Sequence, residues 1–296
     1  MTTSSIRNQD VPGARTDVEQ YRARLFGIAY RMLGDSHEAE DLVQDTMFRW
    51  HQANRDDVRE PEGWLVTVIT RLAIDRARAT ARERERYPGP WLPEPLAVER
   101  LEADYRAELT SDLSMAFLVL VERLAPEERA AFLLREVFGT GYDEIGSILD
   151  RSAVAVRQMV HRARQRVRAS GARRVATAET KEHLIGRFVA ALEAGDKDAL
   201  LAVLTEDASW ISDGGGKART SRRVVRGAER IARLVLGLNH KFRHTIVRRL
   251  SRLNGEPALL QYRNDRLHAA LFLDVDGDRI VAIYGVVNPD KLGHVE

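Results

Sequence analysis

The chain has 296 residues, a length for two or three domains rather than one, and 44% of them are hydrophobic, enough to build cores. It has no cysteine, which excludes disulfides, thiol catalysis and cysteine-ligated zinc and fits a reducing cytoplasm. The net charge of +2 hides two blocks of opposite sign, since Asp35 to Glu62 holds nine acids against three arginines and Arg151 to Arg174 holds eight arginines and no acid; such blocks point to one basic and one acidic partner.

Residues 1–16 read as a disordered tail, and the polar stretch Met1 to Asp17 lacks the apolar region of a secretory signal. The longest apolar runs, such as Val281 to Val287, fall far short of the roughly 20 residues of a membrane-spanning helix, so no membrane partner is expected. Val18, Tyr21, Leu25, Ile28 and Met32 recur at helical spacing. Gly34-Asp35-Ser36 breaks that helix, and Asp35 or Ser36 can cap the next. The second helix carries Leu42, Val43, Met47 and Trp50 on one side and Glu38, Asp41 and Asp45 on the other. After Pro61 a third helix carries Trp64, Leu65, Val68, Ile69 and Leu72, with Trp50 and Trp64 read as core.

Tyr87 to Pro95 holds four prolines and a glycine in nine residues and cannot be helical. It reads as an interdomain linker whose Trp91 and Leu92 dock on a neighbour. Helical periodicity resumes around Glu99, with Leu113, Phe117, Leu120, Val121 and Leu124 in one stripe and a new helix from Pro126. Gly139-Thr-Gly141 is a turn. Tyr142 to Leu149 is a short helix, Asp150-Arg151-Ser152 a tight connection, and Ala153 to Ala169 a longer basic helix, the order of a helix-turn-helix. In that last helix Ser152 is an N-cap, and Val156, Met159, Val160, Ala163 and Val167 can pack inward. Arg157, Gln158, His161, Arg162 and Arg164 then face outward, where arginine and glutamine suit base edges and phosphates.

The segments Leu124-Ala-Pro-Glu-Glu-Arg-Ala130, Phe132 to Phe138, Tyr142-Asp-Glu-Ile145 and His161-Arg-Ala-Arg164 resemble region 4 of the sigma-70 family. In that family the domain binds the upstream (−35) promoter element and the β flap of RNA polymerase. The resemblance thus assigns Ser152, Arg157, Gln158, His161, Arg162 and Arg164 to upstream DNA. Leu25 to Gly34 with Glu38-Ala-Glu-Asp-Leu-Val-Gln-Asp45 resembles regions 2.1 and 2.2, which grip the β′ clamp, and implies polymerase binding by Asp41, Gln44 and Asp45. Gly63 to Arg78 resembles regions 2.3 and 2.4, which melt the downstream (−10) element and hold an unstacked base. Thr67, Arg71, Asp75 and Arg78 lie three or four apart on one helical face and are the implied contacts. Many members carry Asn where this chain has Arg71, so base preference is not carried over. With no large domain between the two halves, the chain resembles the small, extracytoplasmic-function class (group 4).

After Gly171 the chain changes character. Lys181 to Leu192 and Asp198 to Leu204 read as helices, and Asp213 follows a strand. Thr245–Leu253, Ala258–Tyr262, Leu267–Leu273 and Arg279–Val287 read as strands joined by the turn dipeptides Asn254-Gly255, Asn264-Asp265 and Asp276-Gly277, an antiparallel meander. This part resembles a SnoaL-like, ketosteroid-isomerase-type cone. The expected fold is therefore multidomain, two all-α sigma domains (17–86, and 112–171 with the helix-turn-helix) joined by a linker (87–111) and followed by an α+β cone (179–296). Three pieces, Trp91-Leu-Pro-Glu-Pro95, Asp213-Gly214-Gly215-Gly216-Lys217 and Asn288-Pro289-Asp290-Lys291-Leu292, mark the sigma subgroup with this extension. There the extension is thought to regulate sigma activity from within the chain, by intramolecular docking.

The Asp213 to Lys217 stretch reads as a flexible loop; it lacks P-loop spacing, so docking is preferred over phosphate binding, and Asn288 to Leu292 can pack near it or on the linker. Cones of this type often have pockets, which keeps a small-molecule ligand open beside the preferred protein-docking role. Asp213, His244 and His268 are the ionisable candidates for acid–base work, though no catalysis, cofactor or metal is expected. The function implied is promoter-specific initiation with core RNA polymerase in the cytoplasm. Two rivals are a helix-turn-helix regulator acting without polymerase and a cone-fold enzyme or ligand sensor fused to a DNA-binding module.

Overall fold

Every residue from Leu25 to Leu33 is buried, as is Ala23, in the first helix, α1 (Arg22–Leu33). A helix buried on all sides, Arg31 included, sits at the centre of a bundle rather than on its face. Gly34 ends it in the left-handed conformation (φ 68°), and Asp35 caps α2 (Ser36–Gln52) by accepting from the Glu38 N–H at 2.9 Å. Pro61 opens α3 (Pro61–Arg84) in the first turn, where a missing N–H costs nothing. The computed structural model describes residues 18–53, 58–109, 113–169 and 176–295; the tail expected at 1–16 lies outside them.

The stretch expected as linker, 87–111, contains a short helix, α4 (Ala103–Glu108), and after it come α5 (Met115–Glu122), α6 (Pro126–Glu136), α7 (Tyr142–Leu149) and α8 (Ala153–Ala169). The two helical units share one apolar core that runs from Leu25, Ile28 and Met32 through Leu65 and Ile69 to Leu133, Ile145, Val156 and Val160. Buried Arg129 of α6 staples them, donating to the Met32 carbonyl at the end of α1 and to the Leu124 carbonyl at 3.4 Å. Its burial holds that guanidinium pKa at about 10.

The C-terminal unit is α+β, as expected. Helices α9 (Ala178–Ala194) and α10 (Lys197–Val203) lead into a six-stranded sheet of order β2-β1-β6-β5-β4-β3. Its strands are β1 (Leu204–Asp213), β2 (Val225–Arg226), β3 (Ile246–Leu253), β4 (Glu256–Arg263), β5 (Arg266–Asp276) and β6 (Arg279–Val286). The expected meander is present in β3 to β6, and its turns use left-handed Asn254, Gly255, Asn264, Asp265 and Gly277.

The sheet is not a pure meander, because β1 runs parallel to β6. A parallel pair needs a long crossover, and that crossover contains a helix absent from the sequence reading, α11 (Ala228–Phe242), with Ile231, Ala232 and Val235 buried. Successive side chains of β5 point to opposite faces, so Leu271 and Leu273 pack with the Leu184, Phe188 and Ile231 side, while Ala270 and Phe272 join Leu92 and Met115 of the preceding domains. Both faces are buried along the middle of β4, β5 and β6, one by the unit's own helices and the other by the rest of the chain, while edge strand β3 is largely exposed.

Candidate nucleic-acid and polymerase interface

The helix-turn-helix forms through local chemistry. Asp150 ends α7 in the left-handed conformation (φ 55°), its N–H bonded to the Gly146 carbonyl. A Cβ at Gly146 would meet the Arg151 carbonyl oxygen at 2.6 Å, so the tight turn requires glycine there. Ser152 accepts from the Ala155 N–H at 3.2 Å, and Val156, Val160, Ala163 and Val167 are buried. Arg157, Gln158 and His161 are exposed on the outer face; Arg157 lies over the Tyr142 ring at 5.2 Å, and His161 bonds Gln165 at 3.0 Å. Arg162 is exposed and sits 3.7 Å from Glu128. Arg164 departs from the expected outward face. It makes a two-pronged bond to Glu136 of α6, at 2.9 and 2.6 Å, and braces the domain.

On α2, Asp41, Gln44 and Asp45 are exposed on one face, Asp45 3.4 Å from Arg49. The same face carries Phe48, 61% exposed, which the sequence reading passed over. Its spacing of three and four residues from Asp45 and Gln44 was the available signal.

The α3 face is placed differently. Thr67 donates back to the Gly63 carbonyl at 2.7 Å. Thr67 and Arg71 line an open groove of about 460 Å³ with Val58, Arg59, Trp64 and Val68. Trp64 is half-buried, its ring set edgewise on buried Trp50 at 5.3 Å, so it serves the core and the groove wall at once. Arg71 donates to the Ile148 and Ser147 carbonyls at 2.9 and 3.2 Å, in the last turn of α7. Arg78 joins Asp75 at 2.9 Å and reaches across to Glu127 of α6. Half of the expected downstream-element surface is therefore held by the helix-turn-helix domain.

The linker and the two C-terminal motifs form one buried cluster. Asp213, fully buried, accepts from Tyr87 Oη at 2.6 Å, the Leu92 N–H at 2.9 Å and Lys291 Nζ at 2.7 Å. Lys291 also donates to the Leu92 carbonyl at 2.5 Å and lies 4.0 Å from the Trp91 ring centre, over which Arg84 sits at 3.3 Å. Burial pushes the Lys291 ammonium below its ordinary pKa despite the Asp213 carboxylate. Burial, with Asp213 beside it, pushes the Tyr87 phenol up and keeps it a donor.

The Asp213 to Lys217 loop is held rather than loose. Gly215 and Gly216 are left-handed (φ 59° and 72°), the Gly215 Cα side abuts Asn288, and a Cβ at Gly216 would meet Pro88 at 2.7 Å. Asn288 donates to Tyr87 Oη at 3.1 Å and caps the turn at Pro289-Asp290, and Asp290 pairs with Lys217 at 2.5 Å. The linker's other side is fixed to α1 and α2, where Glu94 accepts from the Ser36 N–H and hydroxyl at 2.7 and 2.8 Å and Tyr30 donates to the Glu94 carbonyl at 2.6 Å. Of the acid–base candidates, Asp213 has both oxygens committed to this cluster, exposed His244 bonds Arg243 at 3.1 Å, and burial lowers the pKa of half-buried His268.

Residues 18–83 match the family model for sigma-70 region 2, and residues 114–167 that for sigma-70 region 4. The chain is similar to the ECF RNA polymerase sigma factor SigJ of Mycobacterium tuberculosis, 34% identical over 93% of this chain and 92% of that one. It is also similar to the probable ECF RNA polymerase sigma factor SigI of the same species, 33% identical over 92% of each. The crystal structure of M. tuberculosis SigJ superposes with a TM-score of 0.75 at 30% identity, covering 93% of this chain and 97% of that one.

Proposed function

We infer the function from the family: this chain belongs to the extracytoplasmic-function sigma factors of RNA polymerase, within the sigma-70 class. It directs promoter-specific transcription initiation, the polymerase supplying the nucleotidyl transfer. The exposed α2 face, Asp41, Gln44, Asp45 and Phe48, binds the β′ clamp, where an aromatic anchor ringed by polar groups suits a protein interface. Region 4 binds the β flap and presents Arg157, Gln158, His161 and Arg162 to the upstream element, with Arg157 and Gln158 reading base edges. The groove at Thr67 and Arg71 holds the extruded base of the downstream element.

The C-terminal domain sets how readily this happens. The observation behind a resting form is the engagement of Arg71 by the Ile148 and Ser147 carbonyls, and the tie to the C-terminal domain is the Asp213 cluster on the linker. A guanidinium spent on α7 is not available to DNA, so the arrangement described is a resting form that opens before promoter melting. The cluster of Asp213, Tyr87, Leu92 and Lys291 fixes the linker between the two sigma domains and limits that opening. A docking role for the loop and the Asn288 to Leu292 turn follows, and the cone needs no ligand for it.

Run-off transcription with core polymerase, from the promoter upstream of the protein's own gene, tests the assignment. Transcription that depends on the chain is expected. A chain that neither supports transcription nor comigrates with core polymerase would contradict it.

A further inference from the structure

From Lys217 to Arg233 the C-terminal domain carries seven cations and one acid, Glu229. Glu229 is paired with Lys197 at 2.8 Å and Lys217 with Asp290 at 2.5 Å. The remaining Arg219, Arg222, Arg223, Arg226, Arg230 and Arg233 are all exposed, and among the described residues none of them has a carboxylate partner. Elsewhere exposed arginines are mixed: some meet an acid, while others, such as Arg157, Arg187 and Arg266, have no carboxylate partner among the described residues, so what sets this segment apart is six unpaired guanidiniums within fifteen residues. Among those that do meet an acid are Arg22, Arg49, Arg76, Arg78, Arg164 and Arg252. A dense group of unpaired guanidiniums costs self-repulsion, which an external polyanion relieves.

The position of these arginines gives the patch a use. The Arg222 backbone touches the linker, with its Cα 3.4 Å from where a Cβ on Gly89 would lie, and Gly216 seats on Pro88. The buried Asp213 bonds to Tyr87 and Leu92 tie the same loop to the linker. The loop is thus attached just beyond the end of α3, the helix whose Thr67 to Arg78 face takes the downstream element. At about 1.5 Å per residue, Arg71 lies about 20 Å along the helix from Arg84, the length of about six stacked base steps. Duplex running along α3 from Arg71 toward Arg84 would meet this loop after about that many steps.

We propose that the exposed arginines of the 219–233 segment form a sequence-independent phosphate-binding surface that holds promoter duplex beside the α3 face. The inference rests on the reading of the chain as a promoter-directing sigma factor. Guanidinium groups without aromatic neighbours or a shaped pocket hold phosphates and carry no base code. The C-terminal domain then contributes to DNA binding directly as well as through the linker.

The test uses the full-length chain with Arg219, Arg222, Arg223 and Arg226 all changed to Gln, and a companion with all four changed to Lys. Binding to a labelled 20-base-pair duplex of random sequence is followed by fluorescence anisotropy across a salt series, first by the chain alone and then by the chain with core polymerase. Each phosphate contact contributes about 0.9 to the slope of log affinity against log salt. The Gln variant is expected to flatten that slope by about 2 to 4 and to lose about tenfold or more in low-salt affinity, equally on promoter and random DNA. The Lys variant is expected to keep most of both. Unchanged DNA binding by the Gln variant with weakened assembly onto core would overturn the proposal and assign the patch to an acidic polymerase surface. Unchanged binding in both assays would overturn it outright. Failure of the parent chain to join core would count against the sigma reading alone, since random-duplex binding is read without polymerase.

Discussion

The α2 and α3 helices belong to one helical unit, yet their outward faces are treated in opposite ways. The α2 face, with Asp41, Gln44, Asp45 and Phe48, is open to solvent. The α3 face has Arg71 held by α7 and Arg78 held by α6. On the proposed assignment of these faces, a resting form built this way would leave the polymerase-binding surface ready and the melting surface covered. The proposed order is that core polymerase docks first and α3 is then freed for DNA. The contacts over α3 are exposed or half-exposed and individually weak. The restraint therefore resides in buried contacts: the apolar core shared by the two helical units, the Arg129 staple and the cluster around Asp213 that fixes the linker.

The largest effect is expected at that cluster. Asp213→Ala leaves Lys291 buried without its carboxylate, and removal of one member of a buried pair destabilises by about 3–5 kcal/mol. Thermal unfolding should show the loss. The same variant should also uncover α3, read as faster protease cleavage within the linker. A melting curve equal to that of the parent would break the contrast between strong cluster and weak cover.

Phe48→Ala sharpens the comparison from the open side. An aromatic that acts as an interface hot spot contributes about 2 kcal/mol or more. Affinity for core polymerase should fall accordingly in a pull-down titration, with thermal stability unchanged. Unchanged affinity would place the clamp contact elsewhere. Arg157→Ala should weaken upstream-element binding by about 1–3 kcal/mol, the value of one base-reading contact, while core binding stays intact. Equal binding to intact and scrambled upstream DNA before and after the change would remove α8 from recognition. Arg164→Ala is expected to give the smallest effect, under about 1 kcal/mol of stability from a surface pair with Glu136, and little change in DNA affinity. A loss as large as that at Arg157 would return Arg164 to the DNA face.

What was legible in the sequence was local. The α7–turn–α8 unit follows from the Asp150-Arg151-Ser152 connection, the Ser152 cap and an apolar stripe spaced by three and four, all within one stretch. The linker followed from its prolines, and the docking of Leu92 from its apolar character in a segment that cannot hide it otherwise. What escaped depends on partners distant in the chain. Arg164 and Glu136 are 28 residues apart, and Arg71 and Ile148 are 77 apart. The acceptors for Arg71 are backbone carbonyls, which carry no sequence signature. The 228–242 segment was passed over although Ile231, Ala232 and Val235 repeat at helical spacing, and with it went the parallel pairing of β1 and β6. Asp213 was read both as an acid–base candidate and as part of a docking motif. Its burial beside Tyr87, Leu92 and Lys291 favours the second.

The central claim, that the described arrangement is a resting form that opens on core polymerase, is open to one direct measurement. The chain has no cysteine, so single cysteines introduced at exposed Glu83 of α3 and Gln165 of α8 can be labelled as a specific pair for energy transfer. Low-efficiency transfer after addition of core polymerase, against high efficiency in the free chain, is the predicted result. High efficiency retained in a polymerase complex that transcribes would contradict the account.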